Sequence, residues 1–141
     1  MFDDVSRLTK LGNKKKYVRY SNPTTALLET FPNQYPERNY LVEYVFHEFT
    51  SCCPKTGAPD FAVMTVRYIP DKFCIETKSL KEYYMAYRNE GCFMETLTNK
   101  ILNDLVQVCN PRRMEVIACF NPRGGTDINI KAEYVQSGFK E

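Results

Sequence analysis

The sequence predicts an α+β fold in which an antiparallel sheet carries two helices on one face. Strand-like apolar runs group toward both ends of the chain, and two segments with helical period lie between them. A length of 141 residues suits one domain, since domains typically run to roughly 100–150 residues.

The elements follow in order. Pro23, Pro32 and Pro36 each remove an N–H and restrict the preceding residue, so residues 20–37 read as an extended arm rather than a helix. This divides the chain into an arm over 1–37, a single domain over 38–136 and a short tail over 137–141. The Lys14-Lys15-Lys16 run in the arm reads as a solvated segment. Leu41, Val42, Tyr44, Val45 and Phe46 form a β-branched and aromatic run, and Phe61, Val63 and Thr65 alternate with Ala62, Met64 and Val66. These are two strands, joined by a long loop from Thr50 to Pro59. Phe73–Ile75 is a short strand.

Ser79-Leu80-Lys81-Glu82 has the spacing of a helix capping box, which starts a helix at Ser79. Leu80, Tyr83, Tyr84 and Tyr87 share one face of it, and Gly91 suits the left-handed position after its end. Met94, Leu97, Ile101, Leu105 and Val108 repeat the helical period until Asn110-Pro111 stops it. Met114, Val116, Ala118 and Phe120 alternate as another strand, Asn121–Gly125 turns the chain, and Ile128, Ile130, Ala132 and Tyr134 alternate as the last. The order is ββααββ. The Leu41–Phe46 run has too few polar positions for a strand with one wet face, so the open face of the sheet is expected to be covered by another subunit.

Composition narrows the function. A formal charge of +2 is too small for a nucleic-acid or polybasic membrane surface. The longest uninterrupted apolar run, Val116–Phe120, is far short of the roughly 20 residues that cross a bilayer. The first residues lack the apolar centre of a secretory signal, which points to the cytoplasm, where the six cysteines are thiols. None lies in a C-x-x-C pair, and with His47 as the sole histidine no metal site is expected.

Three places concentrate chemistry. The Ser51–Asp60 loop combines thiols, prolines, a glycine and a carboxylate, and a nucleophilic thiol there needs a neighbour such as Lys55 or Asp60 to favour its thiolate. Otherwise the same cysteines are packed small residues. Glu76-Thr77-Lys78-Ser79-Leu80-Lys81 surrounds a helix start with cations suited to phosphate, or is an ordinary capped helix with solvated lysines. Arg123-Gly124-Gly125 pairs a guanidinium with residues that permit close backbone approach, or is a turn.

Together, C-P-K-T-G-A-P-D-F from Cys53 to Phe61, E-T-K-S-L-K from Glu76 to Lys81, F-M-E from Phe93 to Glu95 and P-R-G-G from Pro122 to Gly125 resemble the 7-cyano-7-deazaguanine reductase (QueF) family. The resemblance runs from about Leu28 to Gly125. It implies the tunnelling fold, in which ββααββ subunits close into a barrel, and reduction of a nitrile to a primary amine with NADPH on the route to the queuosine base of transfer RNA. By the same resemblance Cys53 forms a covalent thioimide and Asp60 handles protons. Ile75, Glu76, Thr77, Met94 and Glu95 match substrate-binding positions, and Lys78, Ser79, Lys81, Arg123 and Gly124 match positions implicated in NADPH binding. A homo-oligomer with sites at subunit contacts follows, with a deazapurine nitrile as small-molecule partner and neither nucleic acid nor membrane bound directly.

Cys52 has no counterpart in the family pattern. Met94 stands where the family normally has the histidine of F-H-E, and His47, in the first strand, reads as structural. Two other functions stay open: an amidinotransferase-like relative that uses the same thioimide without hydride, and a deazapurine-binding oligomer without catalysis. No G-x-G-x-x-G follows a strand, so NADPH is expected in a cleft rather than on a dinucleotide-binding unit.

Overall fold

A computed structural model describes residues 3–12 and 17–141; the Lys14–Lys16 run lies outside the described residues. The elements are β1 (Thr30–Pro32), β2 (Val42–Cys52), β3 (Pro59–Ile69), β4 (Phe73–Ile75), α1 (Thr77–Met85), α2 (Met94–Cys109), β5 (Arg113–Arg123) and β6 (Thr126–Val135). The long strands form an antiparallel sheet of order β2-β3-β5-β6, and β1 and β4 form a separate two-stranded ribbon. The ββααββ order is therefore present, with the ribbon added beside it.

Alternation decides which face the helices cover. Met64, Val66 and Tyr68 of β3 and Met114, Val116 and Ala118 of β5 are completely buried, in one cluster with Leu80, Tyr83 and Tyr84 of α1 and Leu97, Ile101 and Leu105 of α2. Burying a side chain such as Leu97 or Ile101 contributes about 1.5–3 kcal/mol relative to exposing it. The opposite face shows Val45 at 43% and Phe61 at 53% exposure. The Glu43–Arg67 ion pair, at 3.2 Å, joins β2 to β3 near Val45, and Lys131 and Glu133 pair at 2.8 Å along β6 at the other edge of the sheet.

Several expectations change, among them the turn expected over Asn121–Gly125, which is only Gly124–Gly125 because β5 runs on through Arg123. The arm is not wholly extended: Thr25–Leu27 forms a 3-10 turn, and Thr30–Pro32 pairs with Phe73–Ile75. Pairing of β2 with β3 continues through Ser51↔Asp60 and Cys52↔Pro59, so the connecting loop shrinks to residues 53–58. Helix α1 starts at Thr77, capped by Glu76, whose carboxylate accepts from Lys78 N–H and Ser79 N–H at 2.7 Å each. The Ser79 hydroxyl instead accepts from Glu29 N–H at 2.9 Å and donates to the Glu76 carbonyl at 2.8 Å. Finally, Gly91 is not among the glycines of positive φ. A β-carbon there would lie 3.1 Å from Pro54 Cα, so closeness of backbone, not handedness, calls for glycine.

Candidate active site

The C-P-K-T-G segment is one helical turn. Gly57 N–H reaches back to the Cys53 carbonyl at 2.9 Å, and Gly57 leaves the turn at φ +74. Cys53 occupies the N-cap position, and Pro54 sits at the first helical position, where its missing N–H costs nothing. A cap side chain accepts from the N–H groups two and three residues on. Here the Thr56 hydroxyl, Thr56 N–H and Lys55 N–H, with a smaller contribution from Arg123, hold the Cys53 thiol at about 7, below the ordinary value of 9.0. Near neutral pH a large fraction of Cys53 is thiolate.

Asp60, the second residue of β3, is buried, with its carboxylate 2.7 Å from Arg123 Nε. Arg123 comes from the far end of β5, which lies beside β3 in the register Ala62↔Phe120. Cys53, Asp60, Met94, Glu95 and Arg123 then line one cleft of about 220 Å³, with Phe93 on its rim at 64% exposure. Cys92 is the second thiol in this cleft, but burial pushes its thiol up, which leaves Cys53 as the more readily ionised of the two. Glu95 lies in the first turn of α2 and is exposed, its carboxylate in ion-pair range of no cation among the described residues. Met94, 8% exposed, opens the helix and offers an apolar surface without a donor.

The clip that holds this turn is specific. Cys52 N–H donates to the Glu90 carbonyl at 2.9 Å, Cys92 N–H donates to the Cys52 carbonyl at 3.0 Å, and Gly91 lies between. Gly91→Val is expected to cost about 1–3 kcal/mol by overpacking against Pro54 and to slow alkylation of Cys53. Thermal unfolding and iodoacetamide kinetics check this; unchanged values in both would show that the turn yields freely.

The other residues singled out in the sequence lie elsewhere. Ile75 is fully buried, its N–H donating to Tyr68 Oη at 2.9 Å and its carbonyl accepting from Tyr44 Oη at 3.1 Å. Hydrogen bonds from Lys78 and Ser79 hold the Glu76 carboxyl below its ordinary range. Thr77 lines a cleft of about 280 Å³ between α1 and β2, and Lys78 and Lys81 line another of about 680 Å³ beside the N-terminal segment. Ser79 is buried in the contacts already described, and Gly124, at φ +55, turns the β5–β6 hairpin next to Arg123. One chain therefore divides the set: the thiol, Asp60, Met94, Glu95 and Arg123 meet, whereas Thr77, Lys78 and Lys81 line other clefts and Ile75 and Ser79 are buried. Sequence reasoning missed Thr56 as a thiol partner and Arg123 as the partner of Asp60. The Thr56 role was detectable from Cys-Pro-x-Thr-Gly as a capped turn.

Among the described residues no three His, Cys, Asp or Glu side chains converge as a metal site. Nor is any helix there long and apolar enough to cross a membrane.

A thiol lowered toward neutrality at the end of an antiparallel sheet, in a subunit with paired strands flanking paired helices, defines the class. The fold is shared with the crystal structure of an archaeosine synthase QueF-Like in the apo form, at TM-score 0.63 and 23% identity over 71% of this chain and 96% of that one. The profile of the family described as QueF-like protein matches residues 59–138, and the chain belongs to this family. A protein of Chloroherpeton thalassium named NADPH-dependent 7-cyano-7-deazaguanine reductase is 55% identical over 108 residues, covering 77% of this chain and 93% of its own length. Proteins of the same name from Nitratidesulfovibrio vulgaris and Syntrophus aciditrophicus are 49% identical over 131 residues and 48% identical over 139 residues. They cover 93% and 99% of this chain, and 79% and 94% of their own lengths.

Proposed function

We propose that this chain reduces 7-cyano-7-deazaguanine to 7-aminomethyl-7-deazaguanine with NADPH, in synthesis of the queuosine base of transfer RNA in the cytoplasm. The observation that carries the reading is the lowered Cys53 thiol facing the Asp60–Arg123 pair across one cleft. The printed names of relatives with half of their residues in common supply the substrate and cofactor.

Cys53 Sγ adds to the nitrile carbon while the nitrile nitrogen gains a proton through Asp60, giving a thioimide. Addition of one hydride at carbon and a proton at nitrogen gives a tetrahedral adduct. Its C–S bond breaks to return the Cys53 thiolate and leave an imine, which a second hydride and proton convert to the amine. NADPH supplies the two hydrides. Arg123 holds the Asp60 carboxylate toward the reacting nitrogen, and Gly124 beside it lets the hairpin backbone approach a ligand. Glu95 accepts from the N–H edge of the base.

The residues present fit NADPH. Lys78 and Lys81 line the large cleft, and no carboxylate among the described residues lies in ion-pair range of either ammonium. The 220 Å³ cleft is below the roughly 300–1,000 Å³ of an ordinary ligand pocket, which supports a site completed by a second copy. In that assembly Glu76 and Thr77 of one copy, backed by the buried Ile75, complete the substrate pocket beside Cys53 of another, and the sheet faces bearing Val45 and Phe61 close into a barrel. Glu76 keeps a second lone pair on each oxygen for the base after capping α1. The domain over 38–136 is the repeating unit, and the N-terminal arm lies against it.

The test is NADPH absorbance with purified protein and the nitrile. Oxidation coupled to amine formation is expected, at a rate reduced by Met94, which donates no proton. Met94→His is expected to raise turnover toward the about 10²–10⁴-fold that one general acid contributes. A stable thioimide by intact mass with no NADPH oxidation would reject the reductase reading in favour of an amidine-forming relative or a binder.

A further inference from the structure

The N-terminal segment and α1 enclose the cleft of about 680 Å³, with Tyr17, Val18 and Tyr20 on one wall and Lys78, Lys81 and Met85 on the other. Lys78 and Lys81, three residues apart, project from neighbouring positions of the helix surface. Arg88, behind the lining residues, is tied to Tyr17: its guanidinium lies 5.7 Å from the Tyr17 ring centroid and donates to Tyr17 Oη. The cleft's carboxylate, Glu82, does not stand bare, because Tyr20 Oη donates to its Oε1 at 2.7 Å. The cavity thus offers aromatic rings, unpaired ammonium groups and one masked negative charge. That chemistry suits a purine nucleotide bearing a doubly charged phosphate. The cleft shares no lining residue with the one around Cys53, so it suits the half of a dinucleotide that does not react.

We infer that the N-terminal segment is a wall of the cofactor site, seating the phosphorylated adenosine half of NADPH, and that Tyr20 sets the preference for the 2′-phosphate by masking Glu82. The inference rests on the reading of Lys78 and Lys81 as cofactor residues. The lysines attract the phosphate; the Tyr20 hydroxyl occupies Glu82 Oε1 and shields the charge that would oppose it. Tyr17 supplies a face for the adenine ring and carries Arg88 toward the phosphates.

The test is calorimetric binding of adenosine 2′,5′-bisphosphate and of adenosine 5′-monophosphate to the full chain. The natural protein should prefer the bisphosphate. Tyr20→Phe uncovers the Glu82 carboxylate and should weaken bisphosphate binding about fivefold or more, with a smaller change for the monophosphate. Adding Glu82→Gln to Tyr20→Phe should restore the bisphosphate, an outcome that loss of fold would not give. Tyr17→Ala should weaken both ligands about fivefold or more through lost stacking. If Tyr20→Phe and Tyr17→Ala bind as the natural protein does while Lys78→Ala and Lys81→Ala bind weakly, the arm has no such role and the lysine reading stands. If the lysine variants also bind as the natural protein does, both fall.

Discussion

Cys53→Ala should abolish the covalent adduct with the nitrile and lower NADPH oxidation on the order of 10⁶-fold, the scale on which loss of a catalytic nucleophile is felt. Cys52→Ala should leave the adduct intact. Adjacent in sequence, the two thiols face different surroundings: Cys52 Sγ donates to the Arg88 carbonyl at 3.3 Å, whereas Cys53 caps the turn that lowers its thiol to about 7. The pH dependence follows from that lowering. Alkylation of Cys53 should rise with pH and reach half its plateau near pH 7, because only the thiolate reacts. Thr56→Val, which removes the largest contribution, should move that midpoint upward. Intact mass with the nitrile and no cofactor reads the adduct. One that survives Cys53→Ala but disappears in Cys52→Ala would reverse the assignment.

Asp60→Asn is expected to slow adduct formation and turnover by about 10²–10⁴-fold with little change in affinity for the substrate, the signature of a lost proton-transfer group rather than a lost contact. Asparagine keeps an oxygen to accept from Arg123, so the buried contact survives the change of charge. Arg123→Ala is the informative contrast, since it leaves a buried carboxylate without its cation. Single-turnover adduct formation measured by quenched mass spectrometry separates the two. Unchanged rates in Asp60→Asn would remove Asp60 from the chemistry.

Periodicity made the strands and helices legible where one face is covered. Alternation of Met64 and Val66 with Val63 and Thr65, and the helical spacing of Leu97, Ile101 and Leu105, report burial directly. Local signals misled where a distant contact decides. Ser79-x-x-Glu82 has capping-box spacing, yet Ser79 is taken by Glu29, fifty residues earlier in the chain, and Glu76 caps the helix instead. Gly91 follows a helix as a left-handed glycine would, but its reason is Pro54. The same holds for the site. Cys53 and Asp60 stand seven residues apart and were visible as a pattern, whereas the Asp60–Arg123 pair depends on β3–β5 register, which no short motif encodes.

The two hydrogen bonds that clip Cys52 to the 90–92 segment also bear on how the native state breathes. Any opening that frees the end of β2 must release the strand of chain leading into α2, because Cys52 is at once donor to Glu90 and acceptor from Cys92. Amide exchange at Cys52 and Cys92 should therefore proceed with one common protection factor, as a single cooperative unit. Fluctuations that carry Cys53 out of line carry the first turn of α2, with Glu95, along with it, so the thiol and the carboxylate of the cleft are lost and regained together rather than one at a time.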